Sequence, residues 1–333
     1  MWFRFVSIVL FSFSSLSFAA GQNYMGDTLA QGQQFASTTV SMSDWYAGAD
    51  YVNDATIGAI DDNERGFSDA NKKGYDFQTV LTYMYGLTKD ISLGFKYGYT
   101  YQKDETSIAS NEGAGFEGDW VTEGGSDLTI LGAYRLDESS AVNVFLDLPV
   151  CSASSISSVC STKLATPDNS TQVGSSAGQG KGIYRLGGSM AANWITEMDT
   201  HWMGSLFTSM AISDEVAGEK VTAPFTYGAS FGAILPIKQN HAWTGSLTLS
   251  RMMEYSSYNP QAQGKVKYGE HSSLVIRAEY LWDFMAKLQL RPFVNLAMVQ
   301  EPAMAFTSGG VRRSIEYTSG SKVTLGAELR ATF

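Results

Sequence analysis

Ser321-Lys322-Val323-Thr324-Leu325-Gly326-Ala327-Glu328-Leu329-Arg330-Ala331-Thr332-Phe333 closes the chain and decides how the rest of it is read. Val323, Leu325, Ala327, Leu329, Ala331 and Phe333 alternate with Lys322, Thr324, Gly326, Glu328, Arg330 and Thr332. Side chains of a strand point alternately to its two faces, so one face of this stretch wants an apolar medium and the other wants water. An amphipathic strand in a soluble sandwich has the same period. The rest of the chain separates the two, because a strand that meets lipid must belong to a closed sheet: only helices and closed sheets satisfy every backbone group in hydrocarbon.

Composition favours the closed sheet. Charged residues make up only 17% and aromatics 13%, with 17 Tyr, 18 Phe and 7 Trp, while mean hydropathy is −0.10. Beyond the N-terminal segment no apolar run approaches the ~20 residues of a transmembrane helix. That segment reads as an export signal: Arg4 gives a positive start, Phe5 to Phe13 a mostly apolar core, and Ser17-Phe18-Ala19 a small-x-small cleavage site. Residues 1–19 are therefore expected to be a signal peptide cleaved near Ala19. Residues 20–36, rich in Gly and Gln, then form a periplasmic or lumenal segment, and residues 37–333 a single barrel. The formal net charge of −10 argues against nucleic acid as a partner.

The clearest hairpin repeats the closing pattern with more aromatics. Tyr75, Phe77, Thr79, Leu81, Tyr83 and Tyr85 share one face; after Gly86 to Asp90, Ile91, Leu93, Phe95, Tyr97, Tyr99 and Tyr101 share it on the return strand. So many large side chains on one face suit lipid and not solvent. Further strands are expected at Ser37 to Tyr46, Ser126 to Leu136, Ala141 to Val150, Gly182 to Ile195, Thr200 to Ala211, Val221 to Leu235, His241 to Met252, Ser272 to Trp282 and Lys287 to Met298. Long polar connections, at Ala47 to Lys73, Lys103 to Gly125, Cys151 to Lys181, Met253 to His271 and Val299 to Gly320, alternate with short turns. The expected fold class is all-β, a transmembrane antiparallel up-and-down barrel of about twelve strands with short periplasmic turns and long extracellular loops. Tyr85, Tyr134, Trp194, Trp202, Trp243, Trp282 and Phe333 fall beside the turns, and Tyr75, Tyr99, Tyr101, Tyr184, Phe225 and Tyr227 near the loops, as two interfacial belts would require.

Little in the chain points to catalysis, a cofactor or a metal. Cys151 and Cys160, in a Ser-rich stretch of an exported chain, are expected to close a disulfide loop, since their spacing suits neither a redox motif nor a metal set. His271 and Ser273 stand two residues apart, as in the His–Ser arrangement of outer-membrane phospholipase A. Parity with lipid-facing Leu274 and Ile276 aims both into the lumen, where no lipid lies, and no convincing Asn partner is placed to orient the His. Functional information is expected in the lumen, where inward parity places Lys96, Asp127, Arg135, Asp147, Arg277, Glu279, Arg291, Glu328 and Arg330. Mixed signs imply mutual pairing, either as a structural ladder or as a constriction that filters solutes.

The closing strand with its terminal Phe333 resembles the C-terminal strand of bacterial outer-membrane barrels, which implies recognition by the barrel-assembly machinery and contact with outer-membrane lipid and lipopolysaccharide. Gly125 to Leu136 with Val144-Phe145-Leu146-Asp147-Leu148-Pro149, together with Tyr85-Gly86-Leu87-Thr88-Lys89-Asp90-Ile91, resembles the outer-membrane proteins linked to the phenol meta-degradation pathway. That resemblance implies a barrel distantly like the long-chain fatty-acid transporters that admits aromatic or other hydrophobic compounds; Val150-Cys151 stand where that family has a Gly after the Pro. The expected function is a passive channel for small-molecule solutes and not an enzyme. The alternatives are a barrel acting in adhesion or envelope organisation through its acidic loops and, third, a membrane-embedded hydrolase.

Overall fold

The structure is a computed structural model and describes residues 28–52, 69–109, 116–150, 164–165, 171–172, 184–196, 200–212, 215–216, 219–221, 225–259, 264–299, 304–308, 311–317 and 320–333. The expected signal segment, and Cys151 and Cys160 with their expected disulfide, lie outside the described residues. Twelve antiparallel strands follow one another around a closed barrel. They are β1 (Gln34–Val52), β2 (Asp69–Gly86), β3 (Ile91–Ala109) and β4, which runs in two segments, Phe116–Gly125 and Leu128–Arg135. Next come β5 (Ser140–Leu148), β6 (Arg185–Ile195), β7 (His201–Ala211) and β8 (Phe225–Lys238). The set ends with β9 (His241–Met252), β10 (His271–Met285), β11 (Leu288–Val299) and β12 (Gly320–Thr332).

Closure is made by β1 and β12, which pair from Phe35 with Thr332 to Tyr46 with Ser321. At the end of that seam Gln34 and Phe333 exchange both backbone hydrogen bonds, at 3.1 and 2.9 Å. The strands are steeply tilted. A single row of paired residues starts at Thr332, at the bottom of β12, and passes through Phe35, Met84, Gly94, Leu131 and Phe145. It continues through Gly187, Ser209, Thr226 and Met252 and emerges at His271, at the top of β10.

Several elements differ from the sequence expectation. β1, expected to be short, extends over 19 residues, and β3 and β4 reach well into the stretch expected to be a loop. Beyond β9 the chain pairs again at Tyr255–Asn259 with Gly264–Tyr268, then with Met304–Ser308, then with Val311–Tyr317, which returns to the top of β1. The physical reason is that a strand above the bilayer needs no apolar face, so its pairing leaves no alternation to read. Two turns shrink to two residues, Gln239–Asn240 and Ala286–Lys287. Asn240 adopts the left-handed region (φ 67°) that a tight hairpin requires, and bulges at Pro236/Lys238 and Asp283/Met285 keep the ladders paired down to the turns.

The packing is inverted relative to a soluble domain. Leu325 is 61% exposed and Leu206 68%, and Met42, Leu81, Leu93, Ile130, Val144, Met190, Leu247, Ile276 and Leu296 also lie on the outside. The inside holds buried Ser37, Ser41, Asp76, Thr129, Asp147, Ser205, Glu279, Arg291 and Arg330. A continuous apolar band around a closed sheet is a lipid-facing surface. The expected belt residues Tyr85, Tyr134, Trp194, Trp243, Trp282 and Phe333 are exposed at the turn end, and Tyr75, Tyr99, Tyr184, Phe225 and Tyr227 at the loop end.

Two predictions come from this arrangement. Leu325→Arg should destabilise the barrel by ~2–4 kcal/mol in equilibrium unfolding from lipid vesicles, whereas Leu325→Met should be nearly neutral, because a cation at mid-depth meets hydrocarbon. In the β4–β5 turn the Ser140 side chain, with the Ser139 N–H and hydroxyl at 2.8 and 2.9 Å, holds the Asp137 carboxyl down at about 2. A depressed carboxylate stabilises the turn above its unfolded-state pKa and loses that contribution as pH falls through the folded value. An NMR titration of the Asp137 carboxyl should therefore show a midpoint near 2, and Ser140→Ala should raise it.

Candidate functional site

Inward positions alternate along every strand, so neighbouring strands in fixed register bring charges from distant parts of the sequence to one level. β10, β11 and β12 place Arg277, Glu279, Arg291, Glu328 and Arg330 together, with Arg291 directly opposite Glu328. One carboxylate oxygen of Glu279 accepts from Arg277 Nε and the other from Arg291 Nη2, while Arg330 Nη2 lies 3.0 Å from Glu328 Oε2. Glu279 is only 2% exposed and Arg330 3%. Ions this deep persist only when each faces an opposite charge with good hydrogen-bond geometry, which this alternating chain supplies.

Aromatic rings brace the network. The Arg277 guanidinium lies 3.9 Å from the centroid of Phe293, and Arg330 lies 5.6 Å from that of Phe35. Phe293 in turn lies against Gly326, where an added Cβ would strike the ring and the carbonyl of Val40. Pro292 adds a local irregularity: the β10–β11 ladder skips from Glu279/Phe293 to Trp282/Leu290 beside the network, as expected where a proline offers no N–H.

A second cluster lies on β4, β5 and β6. Asp147 accepts from Thr129 Oγ1 at 2.7 Å and from Arg185 Nε at 2.7 Å, and Arg185 lies 5.2 Å from the Phe145 centroid. Lys96, on β3, is within electrostatic reach of Asp147 and Arg185 in this cluster and of Glu328 in the first. Asp127 sits in a bulge: Lys96 pairs with Thr129 and Tyr99 with Gly125, so two residues of β3 face three of β4. Gly98 and Ser126 hold the bulge with two hydrogen bonds of 2.8 Å.

Five of the nine expected lumenal residues thus form one network, Lys96, Asp127 and Asp147 lie on β3 to β5, and Arg135 stands apart at the turn end, donating to the Thr28 carbonyl at 3.0 Å. Sequence reasoning missed Arg185 as a lumenal residue, although its alternation with Gly187 and Ser189 carried the signal. It also left out the Lys322–Asp76 pair (2.5 Å), both members of which sit on faces already read as inward. His271 and Ser273 are buried and inward, as their parity implied. Ser273 Oγ meets Ser250 Oγ at 2.6 Å, and His271 Nδ1 lies 3.5 Å from the Gly269 carbonyl. β8 to β10 also line the lumen with hydroxyls such as the Ser230–Thr248 pair at 2.8 Å.

Several lumenal polar atoms, Asn143 Oδ1, Ser205 Oγ, Thr244 Oγ1, Arg291 Nε and Asn295 Oδ1, find no partner among the described residues. Buried polar atoms in folded proteins are almost always hydrogen-bonded, so these stand out on the inner face.

No protein-family model matches the chain, and no curated protein matches its sequence. Among solved structures it is similar to an outer-membrane channel of Pseudomonas putida F1, at 13% identity and TM-score 0.45, covering 92% of this chain and 97% of that one. It is also similar to the outer-membrane protease OmpT of Escherichia coli (7%, 0.39, 92% and 99%) and to a FadL homologue of Pseudomonas aeruginosa (7%, 0.41, 90% and 90%). Likenesses at this level carry no weight for function, and the barrel rests on its own strand register.

Glu279→Gln removes the shared carboxylate and leaves Arg277 and Arg291 buried together. Urea unfolding from detergent micelles should show a loss of ~3–5 kcal/mol, the usual cost of breaking one side of a buried pair.

Proposed function

We propose that this protein is a passive outer-membrane channel for small solutes, hydrophobic and aromatic compounds among them, with the lumenal charges setting which solutes pass. The observation that carries this reading is the inward face itself: charged networks, hydroxyl pairs and unsatisfied polar atoms around the axis of a closed barrel. Twelve strands fall between filled eight-stranded barrels and open sixteen-stranded porins, so a narrow passage fits the size.

In this reading the turn end faces the periplasm and the loop end the cell surface. Phe333, which closes the seam at the turn end, is the residue presented to the barrel-assembly machinery, and the belts contact outer-membrane lipid and lipopolysaccharide. The apolar residues of the inner face, Phe35, Met84 and Leu131 with Phe145 packed against them, set an apolar cluster beside the polar lining.

Liposome swelling with a panel of neutral, charged and aromatic solutes, backed by planar-bilayer conductance, tests the proposal. The expected result is size-limited uptake whose charge preference shifts when Lys96→Gln removes a lumenal cation. A folded barrel closed to every solute would sink it.

A further inference from the structure

Among the described residues, every Trp of the turn-end belt stands on one half of the rim. Trp194, Trp202, Trp243 and Trp282 lie on β6, β7, β9 and β10, whereas β2, β4 and β12 carry Tyr85, Tyr134 and Phe333 there. On β9 and β10 the rings form a continuous run. Trp243 meets Tyr280 at 5.1 Å between centroids, Tyr280 meets His241 at 5.7 Å, His241 meets Trp282 at 6.3 Å and Trp282 meets Phe284 at 5.6 Å. Tyr280 Oη and His241 Nδ1 are 2.6 Å apart. A hydroxyl donating to Nδ1 leaves the imidazole proton on Nε2, a donor beside the indole N–H groups.

A bulge brings a cation to this run. Parity with Ile234 and Pro236 would send Lys238 inward, but the register shift between Pro236 and Lys238 makes Lys238 the direct partner of His241. Residues directly opposite in an antiparallel pair share a face, so exposed Lys238 stands outside, next to His241. On β10, Asp283 stays opposite inward Gln289, whose amide donates to it at 2.7 Å, so its carboxylate belongs to the other face. The Asp283 N–H donates to the Asn240 carbonyl at 3.0 Å and ties the two tight hairpins into one platform. Exposed Leu235, Leu247 and Ile276 continue the same outer face into the lipid band.

We propose that this patch is a phospholipid site: Lys238, His241 and the indole N–H groups of Trp243 and Trp282 hold the phosphodiester of a glycerophospholipid in the leaflet at the turn end, and its acyl chains run over Leu235, Leu247 and Ile276. The patch offers several donors, one cation, no described carboxylate and an apolar face leading into hydrocarbon. That is the complement of an anionic group carried on acyl chains. The site needs the closed barrel and not the channel reading.

Native mass spectrometry of the full mature protein, delipidated in detergent and given phosphatidylethanolamine, phosphatidylglycerol or diacylglycerol, tests it, with folding checked by heat-modifiable migration in gels. Both phospholipids should stay bound to the native barrel, and diacylglycerol, which lacks the phosphate, should not. Lys238→Gln should weaken retention about tenfold, the worth of one hydrogen bond to a charged group, and adding His241→Phe should weaken it further. Lys89→Gln, on the β2–β3 turn, should retain lipid as the native protein does. Inorganic phosphate should not displace the lipid. Equal retention by the folded double variant, equal retention of diacylglycerol, or displacement by inorganic phosphate overturns the site, and the channel reading stands in each case.

Discussion

Hydrocarbon offers no hydrogen-bond partner to a peptide group, and the whole molecule answers to that constraint. An unpaired N–H or C=O in the bilayer costs several kcal/mol. An open β1 edge opposite an open β12 edge would leave such groups along twelve register pairs, from Phe35/Thr332 to Tyr46/Ser321. Closure is therefore obligatory, and twist and tilt follow from it. Once closed, every strand has one face toward lipid and one toward the axis, and the apolar exterior and polar interior are two readings of the same alternation.

The interior then inherits a problem of its own. A barrel this narrow forces inward side chains together, and charged ones are tolerated only in alternation. Arg277, Glu279 and Arg291 solve it on β10 and β11, Glu328 and Arg330 on β12, and Asp147 and Arg185 on β5 and β6. Rings do the remaining work: Phe293 and Phe145 cover guanidinium faces and fill volume above Gly326 and Gly187, where any larger residue would collide with them. Under the channel proposal, stability and selectivity draw on the same side chains.

What was legible in the sequence was whatever lipid imposes. The faces of β2, β3 and β12 could be read residue by residue because hydrocarbon punishes a misplaced charge, and the aromatic belts could be read for the same reason. The upper halves of β3 and β4 and the ribbon beyond β9 could not, because water accepts either face. The bulge at Ser126 and the two-residue turns were hidden as well, since register depends on partners far away in the chain. Lumenal charges were legible as inward residues but not as groups: nothing local in the sequence says that Arg291 stands opposite Glu328 or that Lys96 comes within electrostatic reach of Asp147 and Glu328 alike. The apolar clusters of the inner face, Met203 with Ile234 and Phe35 with Met84, escaped notice because an inward Met or Ile reads, in isolation, as an exception to the pattern.

The seam has one more consequence. Gln34 and Phe333 are bound to each other, so the strand that begins the barrel and the strand that ends it lie side by side at the turn end. The order in which the strands are synthesised is then incidental to the finished sheet. A short link between those neighbours, with the chain reopened at the Gln239–Asn240 turn, would preserve all twelve pairings while changing which strand is made last. The architecture is a ring, and the place where the polypeptide happens to be cut is a property of its biogenesis, not of its wall.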